Sequence, residues 1–220
     1  MDAIECIKGR MSIRKFRSEP VPKELLLEVI EAAQRSPSYK NSQPWEISIV
    51  SGKMKEALSK RLVDLFQSGA EPQPDMGSPA GWPEEIESRI NDMLSKRGKA
   101  FGLDLESPDI QKKSKIANFN FYGAPHGIFL FQDGSLNEWS ILDMGMFAQA
   151  LMLAAHAKGL GTVPQAFLTD YAGEVKKFLG LPDSKRLVLG ISIGYPQSGD
   201  RANSYRTERI EPYEMVRWVE

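Results

Sequence analysis

The sequence predicts an α+β domain in which helices surround a few central strands. Two long stretches, residues 23–36 and 138–158, have apolar residues at helical spacing. Three short stretches, residues 45–50, 127–131 and 187–194, are alternating or continuously apolar and are typical of strands. The chain has 220 residues and no internal repeat or clear linker, so we expect one domain spanning residues 1–220.

The remaining helices are predicted from caps and spacing. Asp2 and Glu5 form a capping-box pattern at the start of a short helix that runs through Lys8. Pro37 ends the helix that begins near residue 23, because a residue that precedes proline is disfavoured in the helical region. Residues 53–67, 84–100 and 108–122 are also predicted to be helical, the last capped by Ser107. Residues 69–83 contain four prolines and three glycines and are predicted to form a loop or lid, with Trp82 as a lid residue or an anchor.

The predicted helix over residues 138–158 is apolar on nearly every face, so it lies either in the centre of the core or in a subunit interface. The last 25 residues form a polar tail whose aromatic residues have little to pack against locally. These aromatic residues are Tyr205, Tyr213 and Trp218. Both features favour a homodimer.

Composition excludes several classes of function. The net charge is −1, with 28 basic and 29 acidic residues, and this argues against a nucleic-acid-binding protein. Cys6 is the only cysteine, and His126 and His156 have no further ligand at metal-binding spacing, so no metal centre is expected. His126 is more typical of a hydrogen-bonded residue at a strand edge than of an acid catalyst. No apolar run of membrane-spanning length and no signal peptide is recognised, and we therefore expect a soluble cytoplasmic protein without a membrane partner.

Two polar segments carry the candidate chemistry. In an extended segment, Arg10, Ser12 and Arg14 point the same way and could grip a phosphate; the alternative is a solvated basic turn. Residues 37–45, with the sequence PSYKNSQPW, place several donors and acceptors on a stiff loop before a strand. Such mixed partners suit the pyrimidine edge and ribityl hydroxyls of a flavin, whereas the alternative is an ordinary loop with Asx turns.

Taken together, these segments resemble the opening of the FMN-dependent nitroreductase family, with R-x-S-x-R, an amphipathic helix, and P-S-x-x-N-x-Q-P-W before a strand. Residues 159–165, 190–195 and 203–209 resemble the family's G-L-G/D-x-x-P, G-x-x-x-G-Y and C-terminal basic motifs. Residues 118–125, with the sequence NFNFYGAP, resemble a subgroup of nitroaromatic and nitrobenzoate reductases. The resemblance covers nearly the whole chain.

This resemblance implies a nitroreductase-like fold: a central mixed, mostly antiparallel β-sheet surrounded by helices, in an intertwined homodimer with an extended C-terminal arm. It also implies a lid or insertion at about residues 69–122. Residues 37–39 and Asn41 would reach the flavin of the other subunit, and Pro164 with Gln165 would place a backbone N–H near flavin N5. The cofactor-binding residues implied are Arg10, Met11, Ser12, Arg14, Pro37, Ser38, Tyr39, Asn41, Gln43, Pro164, Gln165, Arg206 and Arg209.

Two positions depart from the family pattern. Many members have lysine where this chain has Thr207, so either Arg206 or Thr207 could contact the phosphate. Many members also have glutamate after the proline-containing turn, where this chain has Gln165 directly after the proline.

The activity implied is that of an FMN-dependent oxidoreductase. NADH or NADPH would reduce the flavin in a ping-pong cycle, and a nitroaromatic, quinone or similar small acceptor would oxidise it. No side chain is expected to be catalytic, since flavin N5 carries the hydride. Asn118, Phe119 and Tyr122 are candidate acceptor contacts, although Phe119 and Tyr122 could equally be the buried face of a helix.

Two alternatives to this activity remain open. One is a specialised flavin enzyme of the reductive dehalogenase type, whose lid would close over a zwitterionic substrate. No clear Glu/Tyr/Lys set of that kind is recognised, and Glu84, Lys99 and Tyr122 are the residues left open for it. The other is a flavin-binding protein without turnover.

Overall fold

Four strands form one central sheet in the computed structural model, which describes residues 2–220. They are β1 (Glu46–Ser51), β2 (His126–Asp133), β3 (Gly161–Gln165) and β4 (Lys185–Gly194), in the order β1-β2-β4-β3. All three strand pairings are antiparallel. Within the described residues, the parallel component expected of a mixed sheet is limited to the isolated bridges Ser12–Thr162 and Gln73–Tyr171.

The helices of residues 2–220 surround this sheet. They are α1 (Ala3–Gly9), α2 (Lys23–Ala33), α3 (Gly52–Gln67), α4 (Glu84–Phe101), α5 (Pro108–Phe119), α6 (Glu138–Ala157), α7 (Ala172–Leu179) and α8 (Pro212–Met215). Helix α1 begins at the predicted capping box, where the Ile4 N–H donates to Asp2 Oδ1 at 2.8 Å. The expected α+β class is confirmed.

The two faces of the sheet are covered by different helices. Phe129 and Phe131 of β2 pack with α3, α5 and α7, while Ile128 and Leu130 of the same strand pack with α2 and α6. Successive side chains of a strand point to opposite faces, so a strand covered on both sides must be apolar throughout. This burial explains the continuous GIFLF run.

Three predictions of secondary structure need correction. The proline-containing segment after α6 was expected to be a turn, but it forms β3, and α7 was not foreseen. The helix predicted over residues 108–122 ends at Phe119. It stops there because Phe121 and Tyr122 have φ of 53° and 52°, the left-handed region, in a 3-10 turn (Phe121–Gly123).

Helix α6 is an exception to the expectation that the chain has no apolar stretch of membrane-spanning length. Its 20 residues are long and apolar enough to cross a membrane by length and composition alone. In the fold it packs against the sheet and α2 through buried residues that include Met144, Phe147 and Leu151. The core helix of a soluble protein passes the same test of length and composition.

The basic segment, residues 10–14, runs extended beside β3. The Ile13 N–H donates to the Thr162 carbonyl at 2.9 Å, and the Ile13 side chain is buried. The Asn203 side chain accepts from the Arg14 and Lys15 N–H groups at 2.8 and 3.1 Å, so it ties the C-terminal segment to the basic segment. These contacts bring residues 10–14 and 201–209 together in space.

Gly161 allows the basic segment to approach β3. A Cβ atom at this position would lie 2.7 Å from Ile13 Cγ1. We expect Gly161→Ala to lower the free energy of unfolding by about 1–3 kcal/mol, because the buried Ile13 must move. Urea denaturation measures the change. Gly173→Ala is the matched control, since a Cβ there meets nothing within 4 Å; equal losses in both variants would contradict the packing argument.

His126 joins three parts of the structure. Its Nε2 accepts from the Val21 N–H at 2.9 Å, and its Nδ1 lies 2.5 Å from Ser51 Oγ on the paired strand. The side chain is 6 % exposed. Burial, together with the charge of Lys55, lowers the pKa of His126 below its ordinary value. The structure agrees with the hydrogen-bonded strand-edge role that the sequence favoured.

This environment predicts a loss of stability in mild acid. The folded protein holds His126 neutral, so below pH ~6.5 the unfolded state binds the proton first and stability falls as the pH falls. The slope is at most about 1.4 kcal/mol per pH unit for each such histidine. Denaturation at pH 7.5 and 5.5 should show a smaller loss for His126→Gln than for the wild type. An identical loss would mean that His126 is not the group being titrated.

Candidate functional site

A cavity of about 480 Å³ lies where α1, the basic segment, α4 and the C-terminal segment meet. We call it the arginine cavity. Its lining contains six basic side chains and, within the described residues, no acidic one. The lining residues are Ile7, Lys8, Arg10, Met11, Ser12, Arg14, Met93, Arg97, Tyr205, Arg206, Thr207 and Arg209. The extended basic segment and the C-terminal motif therefore meet at one site.

Arg10 lies in this cavity without a partner for two of its nitrogens. Nε and Nη1 are buried and form no hydrogen bond to any described residue. Burial lowers the pKa of Arg10 below its ordinary value, and the charges of Arg209 and Arg206 lower it further. Unpaired buried N–H groups on a cation are costly, so this arrangement favours an anion in the cavity.

The C-terminal side of the cavity is held by short-range hydrogen bonds. Arg209 Nη1 donates to Thr207 Oγ1 at 2.7 Å and to the Glu208 carbonyl at 2.8 Å. Arg206 reaches the carbonyls of Gly9 and Arg10 only at 3.5 Å. Both Arg206 and Thr207 line the cavity, and the Thr207 hydroxyl orients Arg209.

Arg97, a half-buried residue of α4, lines the cavity but was not predicted from the sequence. Its Nε is buried without a partner among the described residues, and burial and the charge of Arg14 lower its pKa. Met93 and Arg97 are four residues apart on one helix and therefore share a face. The spacing of Met93 and Arg97 is apparent in the sequence. Residues 84–100 were, however, predicted to belong to the lid and contain no family motif, so they were not considered as part of the site.

A second cavity, of about 1060 Å³, shares Arg14 and Arg97 with the first. We call it the aromatic cavity. It is mainly apolar and aromatic, with basic residues and no acidic residue among the described side chains that line it. Its lining includes Phe66, Leu94, Phe101, Leu103, Leu105, Pro108, Ile110, Lys113, Lys115, Tyr122, Phe167 and Arg201. Shared wall residues place the two cavities side by side.

The strained turn after α5 presents Tyr122 to the aromatic cavity. Phe121 is fully buried and packs edge-to-face on Phe129, with ring centroids 6.0 Å apart. Gly127 makes room for it, since a Cβ there would lie 2.3 Å from the Phe121 ring. Two consecutive left-handed residues cost of order 1–3 kcal/mol each. The packing of Phe121 holds the backbone in this conformation.

The three candidate acceptor contacts have different environments in the structure. Only Tyr122 lines the aromatic cavity. Phe119 is fully buried against Phe66 and Tyr171, the core role that the sequence left open. Asn118 is 6 % exposed and donates through Nδ2 to the Tyr122 hydroxyl at 2.9 Å.

Pro164 and Gln165 lie at the end of β3, with Pro164 exposed and the Gln165 side chain buried. The Gln165 side chain is fully engaged inside the protein, because Nε2 donates to the Asn118 carbonyl at 2.9 Å and Oε1 accepts from the Ser192 hydroxyl. It therefore does not point out toward a ligand.

The loop of residues 37–43 lies apart from both cavities of the same chain. Lys40, Asn41 and Gln43 have φ of 52°, 56° and 46°, a strained conformation. Within the loop, the Gln43 N–H donates to Ser38 Oγ at 3.0 Å. The Tyr39 N–H donates to Asp143 of α6 at 3.1 Å. This loop borders the exposed face of α6 and does not reach the arginine cavity of its own chain.

Known proteins resemble this chain in sequence over most of its length. A family model described as the Nitroreductase family matches residues 7–195. The chain belongs to the nitroreductase family. A 4-nitrobenzoate reductase of Pseudomonas putida is 34% identical over 207 residues, which cover 92% of this chain and 89% of that protein.

Two solved structures have the same fold. The FMN-dependent nitroreductase NfnB from Mycobacterium smegmatis, in complex with NADPH, gives a TM-score of 0.93 at 33% identity over 99% of this chain and 98% of that one. The FMN and NADPH-dependent nitroreductase NfnB from sphigopyxis sp. strain HMH gives a TM-score of 0.95 at 28% identity over 100% of both chains. The expected nitroreductase fold is confirmed.

The expected lid, at about residues 69–122, is partly anchored to the rest of the domain. Asp75 Oδ2 accepts from the Leu187 N–H at 2.7 Å and from Lys176 Nζ at 3.0 Å. The Tyr171 hydroxyl donates to the Ala70 carbonyl at 3.1 Å. Residues 70–75 are therefore anchored to the sheet and α7, whereas α4 and α5 supply cavity walls. Trp82 is 50 % exposed and lines neither cavity.

Proposed function

We propose that this chain is an FMN-dependent NAD(P)H oxidoreductase that reduces nitroaromatics, quinones or similar small acceptors in a ping-pong cycle. The observation that carries this proposal is the pair of unpartnered, buried N–H groups of Arg10, in a basic cavity that meets an aromatic one at Arg14 and Arg97. A phosphate at one end and a flat ring at the other fit these two cavities. The relatives named as nitroreductases support the same activity.

The arginine cavity would hold the FMN phosphate. Arg10 would supply its two free N–H groups, and Arg206 and Arg209 would complete the charge. Ser12 and Arg14, on the same side of the extended segment, would contact the ribityl chain or the ring edge. Met11 lines the cavity and packs against the core, which keeps the segment in place.

Bound FMN would supply the hydride chemistry, which this chain's side chains do not provide. Arg14 and Arg97 lie where the two cavities meet and would favour negative charge on the ring. Pro164 and Gln165 would contact the ring through the backbone at the end of β3. The aromatic cavity is large and open enough to admit a nicotinamide ring and then an acceptor to the same place. Because both NfnB structures are described with NADPH, we propose NADPH as the donor.

The site would be completed by a second copy of the chain. The exposed face of α6 borders an apolar groove of about 900 Å³ that includes Pro37, Leu142, Gly145 and Met146. The C-terminal residues 211–220 are exposed throughout, and Trp218 is 82 % exposed. A homodimer would cover both surfaces. It would also bring the loop of residues 37–43, including Ser38, Tyr39, Asn41 and Gln43, to the partner's FMN. We also propose a cytoplasmic location for this dimer.

Removal of the phosphate contacts should weaken FMN binding. We expect Arg10→Ala and Arg209→Ala each to raise the Kd for FMN by about 10-fold or more, because each removes a charge-assisted hydrogen bond. Fluorescence titration of the apoprotein measures the Kd. Arg17→Ala is the matched control, since Arg17 lies three residues after the basic segment, is paired with Glu19 and does not line the arginine cavity. An unchanged Kd in both test variants would refute the phosphate assignment.

Turnover separates the proposed enzyme from a flavin carrier. The FMN-loaded protein should oxidise NADPH, and nitrobenzene should accelerate that oxidation. If NADPH leaves the bound flavin oxidised, the chain is a carrier and not a reductase.

A charge in the groove should prevent dimer formation. A Cβ at Gly145 meets nothing within 4 Å in the single chain, so the fold tolerates Gly145→Arg there. In a dimer the same arginine would be buried against an apolar partner surface. We expect the variant to sediment as a monomer with weakened FMN binding, and Gly173→Arg, outside the groove, to remain dimeric. A wild-type monomer at micromolar concentration would contradict the dimer.

A further inference from the structure

Four polar side chains form a continuous hydrogen-bonded chain from the centre of the sheet to the aromatic cavity. The Ser192 hydroxyl on β4 donates to Gln165 Oε1. Gln165 Nε2 donates to Asn118 Oδ1 at 3.1 Å, and Asn118 Nδ2 donates to the Tyr122 hydroxyl at 2.9 Å. Ser192, Gln165 and Asn118 are at most 6 % exposed, so the chain is shielded from water. Only Tyr122 reaches a cavity.

Two backbone carbonyls fix the direction of this chain. Gln165 Nε2 also donates to the Asn118 carbonyl at 2.9 Å, and Asn118 Nδ2 also donates to the Ser114 carbonyl at 2.9 Å. A carbonyl oxygen can only accept, so neither amide can be rotated by 180° without losing a bond. Each amide therefore presents its oxygen toward Ser192 and its nitrogen toward Tyr122.

This direction determines what the Tyr122 hydroxyl can do. A phenol has one hydrogen to donate and can accept through its oxygen. Because Asn118 donates to that oxygen, the hydrogen of Tyr122 is left for another acceptor. No described residue accepts it, and Tyr122 lines the aromatic cavity on a strained turn that Phe121 holds in place.

We propose that Tyr122 donates a hydrogen bond to an oxygen atom of the acceptor, and that Asn118, Gln165 and Ser192 are positioning residues that direct this donor into the aromatic cavity. The inference rests on the proposed function and adds a protein contact to it. Acceptors with a nitro or quinone oxygen gain negative charge there as they are reduced. A donor aimed at that oxygen before reaction stabilises the charge as it forms. An accepted bond from Asn118 strengthens the donor.

The first test removes only the hydroxyl. In the FMN-loaded protein, Tyr122→Phe should raise the Kd for nitrobenzene, measured by calorimetry without NADPH, by about 3- to 10-fold. The infrared nitro band of bound nitrobenzene should move to higher frequency, since the hydrogen bond is gone. The kcat/KM for nitrobenzene should fall at least as far, and it should fall further than the rate with ferricyanide, an acceptor that has no nitro or quinone oxygen to receive the hydrogen bond.

Tyr171→Phe is the matched control. It removes a phenol hydroxyl that donates to the Ala70 carbonyl within the core and that does not line the cavity. We expect it to lower stability slightly and to leave nitrobenzene binding and the nitro band unchanged.

The second test reverses the bond from Asn118. In Asn118→Asp, measured at pH 8, a carboxylate accepts the Tyr122 hydrogen and withdraws it from the cavity. Nitrobenzene should bind as weakly as to Tyr122→Phe, and the double variant should be no weaker than either single one. Additive losses would contradict the positioning role. Should Asn118→Asp fail to fold, Tyr122→Phe alone still decides the role of Tyr122.

Failure of the inference and failure of the proposed function give different results. Wild-type protein that reduces nitrobenzene, with a Tyr122→Phe variant unchanged in Kd, nitro band and kcat/KM, overturns the inference and leaves the function intact. Wild-type protein that takes up no FMN contradicts the proposed function, and it overturns the inference as well, because the acceptor is proposed to bind beside the flavin.

Discussion

The attachment of the basic segment to β3 is the contact on which the candidate site depends. One backbone hydrogen bond from Ile13 to Thr162, the burial of Ile13 over Gly161 and the Asn203 clamp fix residues 10–14 in an extended conformation. The extended backbone places Arg10 and Arg14 on the side away from the core. The same clamp carries Arg206 and Arg209 to that side. Residues nearly 200 positions apart in sequence thus form one cavity.

Electrostatic repulsion is built into this arrangement. Burial lowers the pKa of Arg10, and the positive charges of Arg209 and Arg206 lower it further. Without a bound anion, this repulsion destabilises the folded state of the apoprotein. A dianionic group that binds there removes the repulsion and also accepts hydrogen bonds from the unpaired N–H groups. That difference between the two states would favour tight retention of a phosphorylated cofactor.

Much of the fold could be predicted from the sequence, because the relevant patterns are local. The capping box at Asp2, the continuous apolar run of β2 and the alternation of Arg10, Ser12 and Arg14 each follow from the periodicity of a single element. Helix α7 was not predicted, and β3 was not recognised because its glycine and proline indicate a turn, while its pairing with β4 is decided by tertiary contacts.

The parts of the site that were missed depend on contacts between distant elements. Arg97 enters the site only through the packing of α4, and the left-handed turn at Phe121 and Tyr122 exists because Gly127, on β2, leaves room for a ring. From the sequence, Tyr122 was expected to be helical, since no neighbouring residue disfavours a helix there. Family motifs predicted cofactor-binding residues but did not indicate the buried chain that ends at Tyr122.

Asp75 anchors residues 70–75, and Phe121 anchors the turn after α5. These two contacts divide the insertion into fixed ends and a stretch between them. Both ends of the intervening stretch are fixed to the sheet, and α5 is fixed as well because its Phe119 is fully buried, so α4 alone forms a replaceable cassette. Changes in length or sequence within the cassette alter the roof of the aromatic cavity without disturbing strand register. Met93 and Arg97 are the exceptions, because they also border the arginine cavity. An exchange of this cassette between relatives would thus also change the wall of the arginine cavity, unless these two residues are kept.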